Sequence, residues 1–124
     1  MIDNKSKQPD NSESYVWKNF SDGVKKLLKI KRMKQIDLEA VTNLSLTTIS
    51  RICRNTNGRG GEYKADTDDF KEVCLGLELT HEEKDKLFKV TFPEIEFLDY
   101  FIDKRMSAAS ANLYIIDYKE SLEK

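Results

Sequence analysis

Two short segments with helical apolar spacing, joined by only a few polar residues, constrain this fold more than any other feature. They lie within "QIDLEAVTNLSLTTISRICRN", residues 35–55. The first segment predicts a helix from about Lys34 to Val41, and the second predicts a helix from Ser45 to about Arg54. Helices of about two turns each, joined so tightly, must cross at a steep angle and form a rigid unit.

The short connection between these helices has its own local signals. Asn43 tolerates the left-handed backbone conformation, so it can close the first helix in a tight turn. Ser45 is then the expected N-cap of the second helix. The first helix is expected to bury Ile36 or Leu38, together with Val41.

The second helix of the unit has an apolar inner face and a polar, basic outer face. Ile49, Ile52 and Cys53 are expected to face the core. The opposite face carries hydroxyl and guanidinium groups and one aliphatic side chain: Leu46, Thr47, Ser50, Arg51 and Arg54. A helix that only covered a core would carry Glu and Lys there for solubility. This face instead suits a helix that contacts the edges of the bases in the DNA major groove.

The residue types divide into candidate base contacts and candidate phosphate contacts. Arg51 can donate two hydrogen bonds to guanine, and aliphatic and threonine methyl groups can meet thymine. The candidate base contacts are Gln35, Leu46, Thr47, Ser50 and Arg51. The candidate phosphate contacts, which position without specifying sequence, are Ser45, Thr48, Arg54, Asn55, Arg59 and Lys64. The alternatives are a solvated helix face for the arginines, packing on a neighbouring helix for Leu46, and simple helix propensity for Gln35.

The rest of the chain also shows helical spacing, and no segment shows sustained strand alternation. A first helix is expected from Phe20 to about residues 31–33, capped by Ser21 or Asp22. Thr67 and Ser107 are each expected to cap a further helix. Thr80 and Glu83 form a capping-box pattern at the start of another, and Pro93 is expected in the first turn of a fourth. The sequence therefore predicts an all-α protein.

Composition suggests three parts along the chain. Residues 1–14 are polar and predict a disordered arm. Residues 15–91 predict the helix-turn-helix domain. Residues 92–124, rich in aromatic side chains, predict a C-terminal helical extension that serves dimerisation or partner binding.

Charge is unevenly distributed along the sequence. Residues 18–64 contain 11 Lys/Arg and 4 Asp/Glu, a balance of +7, whereas residues 65–124 contain 8 Lys/Arg and 15 Asp/Glu, a balance of −7. This split predicts one surface for a polyanion and another, in the acidic half, for a protein partner. The alternative is that both surfaces are simply solvated.

Residues 20–77 resemble the Cro/phage-repressor (xenobiotic-response-element, lambda-repressor-like) helix-turn-helix family. The matching residues are Phe20, Leu27, Gln35, Leu38, Leu44, Ser45, Thr48, Ile49, Ser50 and Arg51, with "LSLTTISRI" the most specific stretch. The resemblance implies a five-helix domain that inserts its third helix into the major groove, usually from a two-fold dimer. The C-terminal segment also resembles an extension found in some bacterial members of the family.

Three departures from the family pattern stand out. Glu39 occupies a position that is usually Ala, where the two short helices pack closely, and Asn43 replaces the turn Gly. Cys53 and Leu28 stand where the family often has a buried Glu–Arg pair, so an apolar contact is expected there. The loop after the third helix, with its "GRGG", is about six residues longer than usual.

Several function classes lack support in the sequence. No nucleophile, acid–base or metal-ligand constellation has supporting context, so no enzyme activity, cofactor or metal is expected. The single histidine, His81, is expected at the surface, and Cys53 and Cys74 are expected in the core of a cytoplasmic protein. No apolar run is long enough for a membrane span.

The combined expectation is a sequence-specific DNA-binding transcriptional regulator, most simply a dimeric repressor that reads double-stranded DNA with the helix Ser45–Arg54. The alternative is an antitoxin-type or phage-type protein-interaction module on the same fold.

Overall fold

A computed structural model describes residues 17–123 and is all-helical over that range, with eight helices and no strand. The helices are Phe20–Lys31 (α1), Gln35–Val41 (α2), Leu46–Arg54 (α3), Thr67–Gly76 (α4), His81–Thr91 (α5), Pro93–Glu96 (α6), Leu98–Asp103 (α7) and Ala108–Leu122 (α8). The all-α prediction is confirmed for this range. The predicted N-terminal arm lies outside the described residues.

Most of these helices have a side-chain N-cap, as the polar residues before them predict. Ser45, Thr80 and Ser107 accept hydrogen bonds from the third residue beyond them, which confirms those three predictions. Two other predicted caps are wrong by one or a few positions. Asn19, rather than Ser21 or Asp22, caps α1 through the Asp22 N–H at 2.8 Å, and Asp66, rather than Thr67, caps α4.

The turn between α2 and α3 differs from its predicted geometry. Asn43 is not among the residues with positive φ, and the helix instead ends at Thr42 with φ of −133°. The Thr42 hydroxyl donates to the Leu38 carbonyl at 2.8 Å, and the Asn43 N–H donates to Glu72 Oε1 at 2.9 Å. The chain therefore leaves α2 in an extended conformation, held from outside by α4.

Of the apolar residues of α2, only Leu38 enters the core. Leu38 is fully buried, whereas Ile36 and Val41 are each 58% exposed. The expected burial of Val41 is wrong. A two-turn helix can bury only a narrow stripe against α3, so one well-placed leucine occupies it.

The core lies between α1, α3, α4 and α5, with α2 contributing Leu38. Its fully buried side chains include Val24, Leu27, Ile49, Ile52, Val73, Leu77 and Leu87. Leu28 and Cys53 belong to the same cluster, in line with the apolar replacement of an ion pair. Cys74 is only half-buried, so its placement in the core is corrected.

The C-terminal helices form an aromatic cluster of their own. The predicted sixth helix is two short helices, α6 and α7, separated at Phe97, which has φ of −93° and ψ of 5°. The Phe97 ring packs at this break against Tyr114 and Tyr118 of α8, with centroids 5.6 and 5.0 Å apart. Apolar spacing alone did not reveal the break because both short helices keep the same periodicity.

No helix among residues 17–123 has the length and apolar character needed to cross a membrane.

Candidate nucleic-acid interface

The helix α3 is held at its N-terminus by its own side chains. Ser45 Oγ accepts the Thr48 N–H at 3.1 Å, and the two hydroxyls are 3.0 Å apart. Ile49, Ile52 and Cys53 are buried beneath the helix, as predicted. The opposite face of α3 is therefore free of core packing along its whole length.

A shallow groove runs along this free face, between α3 and the start of α2. We call it the α3 groove, and it is lined by Lys34, Gln35, Ile36, Leu46, Thr47, Ser50 and Arg54. Four of the five predicted base contacts (Gln35, Leu46, Thr47 and Ser50) lie in it together. Arg54, predicted as a phosphate contact, lies at the same groove.

The aliphatic side chains of the groove are exposed to solvent. Leu46 is 38% exposed and Ile36 is 58% exposed. An exposed isoleucine beside an exposed leucine, threonine and serine offers methyl groups and hydroxyl groups in one place. The major groove of DNA presents matching thymine methyls and hydrogen-bonding edges. Leu46 is not part of the buried core cluster, and more than a third of its surface is accessible to a ligand.

Arg51 does not join the other predicted base contacts. It lines a second cleft, on the other side of α3, together with Ser45, Thr48 and Lys64. The acidic residues Glu62, Asp66 and Asp69 line the same cleft. Its guanidinium lies against the backbone of Gly58, since a Cβ placed there would be 3.1 Å from the Arg51 Nε and Cζ. The structure therefore places Arg51 with the predicted phosphate contacts Ser45, Thr48 and Lys64.

The remaining predicted phosphate contacts have different environments. The side chain of Asn55 is engaged in the fold, so its role as a phosphate contact stays a prediction. Its Oδ1 accepts the Ser21 hydroxyl at 3.1 Å and the Tyr63 N–H at 3.2 Å, and its Nδ2 donates to Glu62 Oε1 at 3.3 Å. Arg59 and Lys64 are exposed on the loop that follows α3.

The basic residues of this surface have no acidic partners. No carboxylate oxygen among residues 17–123 lies within 4.0 Å of the side-chain nitrogens of Arg51, Arg54, Arg59 or Lys64. Lys31, at the end of α1, by contrast pairs with Glu83 at 2.8 Å. These four basic side chains are therefore not neutralised by direct ion pairs with described residues.

Glu39, the unexpected acidic residue between the short helices, has a defined partner. Its Oε2 accepts the backbone N–H of Leu46, the first residue of α3, at 3.2 Å. Unpaired N–H groups at a helix N-terminus carry partial positive charge, so a carboxylate there is stabilising. Glu39 is half-buried and fits by capping α3 rather than by packing in the place of alanine.

Tyr63 fixes the end of the loop to the rest of the domain. Its ring stacks on Phe20 with centroids 6.4 Å apart, and its hydroxyl donates to Asp69 Oδ2 at 2.8 Å. Burial, then the hydrogen bond to the Asp69 carboxylate, raises the pKa of Tyr63 above its ordinary value. Tyr63 is therefore a neutral anchor and not a titrating group at neutral pH.

Sequence reasoning missed two groove residues, Lys34 and Ile36, and the contact between Arg51 and Gly58. A signal existed for Ile36. Ile36 and Leu38 are two positions apart, so one helical face cannot bury both, and the residue left out must face solvent. The Arg51–Gly58 contact had no sequence signal, because it joins a helix to a loop of irregular geometry.

Other kinds of site find little support in the described residues. No group of three His, Cys, Asp or Glu side chains there is arranged to hold a metal ion. Burial raises the pKa of Cys74 to about 11, with Lys84 opposing the shift, so its thiol is not an activated nucleophile. His81 is exposed at the start of α5.

The chain was compared with protein-family models, curated proteins and solved structures, and none of them matches it significantly.

Proposed function

We propose that this protein is a sequence-specific DNA-binding transcriptional regulator of the lambda-repressor-like type. It binds double-stranded DNA with α3 in the major groove and represses by occupying a promoter. The helix-turn-helix resemblance of residues 20–77 and the all-helical fold support this proposal.

The observation that carries the proposal is the composition of the α3 groove. Polar, basic and aliphatic side chains line it, and its lining residues include no Asp or Glu. An α-helix fits the major groove, where amide, hydroxyl and methyl groups distinguish the base pairs. Gln35, Thr47 and Ser50 are the proposed hydrogen-bonding readers, and Ile36 and Leu46 are the proposed thymine-methyl contacts.

The proposed active form is a homodimer joined through the C-terminal helices. Tyr114 and Tyr118 of α8 pack on Phe97, but no residue of this helix is fully buried. Exposed aliphatic side chains continue across α6, α7 and α8: Ile95, Leu98, Ile102, Leu113 and Ile116. We propose that a second copy of the chain covers this surface. Binding to half-sites one turn of DNA apart requires the dimer to hold its two α3 helices about 34 Å apart.

Selection of binding sites from a random duplex library tests the proposal, followed by titration of the recovered site across salt concentration. The expected result is a two-fold-symmetric motif with half-sites one turn apart, and affinity that falls steeply with salt. The double variant Gln35→Ala/Thr47→Ala should lose at least about ten-fold in affinity for that site. His81→Ala, at the exposed start of α5, is the control. Failure to enrich any motif would exclude sequence-specific DNA reading.

A second candidate function is a protein-interaction module of the antitoxin or phage type, which the acidic C-terminal half favours. That half carries a balance of −7 beside the exposed aliphatic surface. Purification of the tagged chain from its native cells at moderate salt tests this candidate. A stoichiometric basic partner, lost when Ile102 and Leu113 are both replaced by Glu, would support it. Recovery of the chain alone would count against it.

A further inference from the structure

The loop after α3 is closed by its own hydrogen bonds. The Asn57 N–H donates to the Gly61 carbonyl at 3.0 Å. Asn57 Oδ1 in turn accepts the N–H groups of Arg59 at 2.7 Å and Gly61 at 3.1 Å. Gly58 and Gly60 have φ of 81° and 90°, a region that favours glycine. Residues 57–61 therefore form a compact turn with Arg59 at its tip.

The base of this turn is tied to the helical domain on two sides. The Thr56 N–H donates to the Arg51 carbonyl at 3.0 Å, which continues directly from the end of α3. Asn55, in the left-handed conformation, connects the loop to Ser21 of α1 and to Tyr63. The loop is consequently held at both ends, although it is longer than a simple connection needs to be.

The side chain of Arg51 supports the turn from beneath. A Cβ on Gly58 would lie 3.1 Å from Nε and 3.2 Å from Nη2 of Arg51, so the guanidinium rests directly on the Gly58 backbone. Gly60, on the other side of the tip, has nothing within 4 Å of the same position. Arg51 thus supports one specific side of the turn.

The tip itself offers one group to a ligand. The backbone N–H groups of Gly58, Arg59 and Gly61 all donate within the loop. The guanidinium of Arg59 is exposed, and no carboxylate among residues 17–123 lies within 4.0 Å of it. Glu62, the nearest acidic residue in sequence, accepts from Asn55 instead. The hydrogen bonds hold the backbone that carries Arg59, and an exposed guanidinium on such a backbone suits a phosphate group.

We propose that the 57–61 turn is a preformed phosphate-binding element that presents Arg59 to the DNA backbone beside the α3 groove, with Arg51 as its positioning residue. This inference rests on the proposed DNA-binding function. It changes the role of Arg51 from a base reader to a support for the turn. It also explains why an exposed loop is so fully hydrogen-bonded, since a preformed element loses less conformational entropy on binding.

Salt-dependent titration of the selected DNA site tests the inference with three single variants. Arg59→Ala should weaken binding about ten-fold for every sequence and lower the salt slope by about 1, as expected for one lost phosphate contact. Gly58→Ala and Asn57→Ala remove no charge, yet each should lower affinity and slope in the same direction because Arg59 is no longer held. The double variant Asn57→Ala/Arg59→Ala should bind no more weakly than Arg59→Ala alone.

Two further variants distinguish a positioning role of Arg51 from base contact by Arg51, and from a nonspecific effect of net charge. Arg51→Ala should weaken binding but leave the selected motif unchanged, and it should not add to Gly58→Ala. Lys84→Ala, which removes one positive charge from the exposed Lys84–Asp85 pair of α5, should leave affinity and slope unchanged. Circular dichroism and thermal midpoints establish that each variant is folded before it is titrated.

The outcomes distinguish this inference from the proposed function. If the wild-type chain enriches a motif but Arg59→Ala and Asn57→Ala bind with its affinity and slope, the phosphate-binding turn is wrong and the DNA-binding function stands. If Arg51→Ala relaxes the preference at one base pair, Arg51 is a base reader and its positioning role is excluded. If the wild-type chain binds no duplex, both proposals fail together.

Discussion

The carboxylate of Glu39 caps the N-terminus of α3 by accepting the Leu46 N–H at 3.2 Å. This contact joins α2 to α3 at the position where the two helices approach each other. It also places a negative charge beside the groove proposed to bind DNA. The same residue therefore stabilises the unit and opposes a polyanion, and the two effects can be separated by substitution.

Glu39→Gln should keep the hydrogen bond and remove the charge, whereas Glu39→Ala should remove both. We expect Glu39→Ala to lose about 1 kcal/mol of stability and Glu39→Gln to stay within about 0.5 kcal/mol of the wild type. Both variants should bind DNA a few-fold more tightly, because a charge repelling the phosphates is gone. Thermal unfolding and DNA titration measure the two effects. Glu82→Gln, at an exposed position of α5, is the charge-matched control, and equal DNA affinity in all three variants would place Glu39 away from bound DNA.

The Lys31–Glu83 pair joins the end of α1 to the start of α5, and its contribution should depend on pH. Burial raises the pKa of Glu83, but the hydrogen bond from Lys31 and the capping contact with Thr80 outweigh it, so the pKa lies below its ordinary value. A carboxyl whose pKa is lowered by folding stabilises the fold above its unfolded pKa, near 4.5. That stability is lost as the pH falls through the folded pKa.

Glu83→Gln keeps a capping side chain but loses the ion pair, so it should be less stable than the wild type at pH 7 by about 0.5–1 kcal/mol. Urea unfolding at a series of pH values should show this difference shrinking to nothing in acid. Asp85→Asn, which breaks the exposed Lys84–Asp85 pair, should show almost no difference at any pH. A difference for Glu83→Gln that persists in acid would mean that the ion pair is not its source.

Gly76 lets α4 approach the end of α2. A Cβ there would overlap Thr42 Cγ2 and lie 2.9 Å from Leu38 Cδ1. Alanine ordinarily favours a helix over glycine by about 1 kcal/mol, but the overlap with a fully buried leucine should win. We expect Gly76→Ala to lower the free energy of unfolding by about 1–3 kcal/mol in denaturant titration. Leu75→Ala, at the neighbouring 71% exposed position, should change it by less than about 0.5 kcal/mol.

The exposed aliphatic surface of the C-terminal helices should control association. Ile102 on α7 is 61% exposed and Leu113 on α8 is 63% exposed. Replacing both with Glu should convert a dimer to a monomer in sedimentation equilibrium without loss of helical circular dichroism, because buried charges at an interface are costly. Leu75→Glu, on α4, should remain a dimer. A wild-type chain that sediments as a monomer at high concentration would exclude this interface.

Local sequence signals were sufficient to predict most of the secondary structure. The caps Ser45 and Thr80 were predicted correctly because a capping side chain bonds to backbone only three residues away. The inner face of α3 was also predicted correctly, since Ile49, Ile52 and Cys53 repeat with the helical period. Burial of α2 was predicted only in part, because the period allowed Ile36 or Leu38 and only packing against α3 and α4 selects Leu38.

The candidate site shows the same division between local pattern and long-range packing. The sequence by itself determined that α3 has a polar, basic outer face, because helical periodicity assigns each residue to a side of the helix. Only the tertiary structure decided that Gln35 joins that face, that Asn55 binds Ser21 and Tyr63, and that Arg51 turns away towards Gly58. The physical reason is that a long side chain takes its direction from partners distant in sequence. Helical periodicity specifies the side of the helix on which the Cβ atom lies, but packing specifies the position of the terminal group of the side chain.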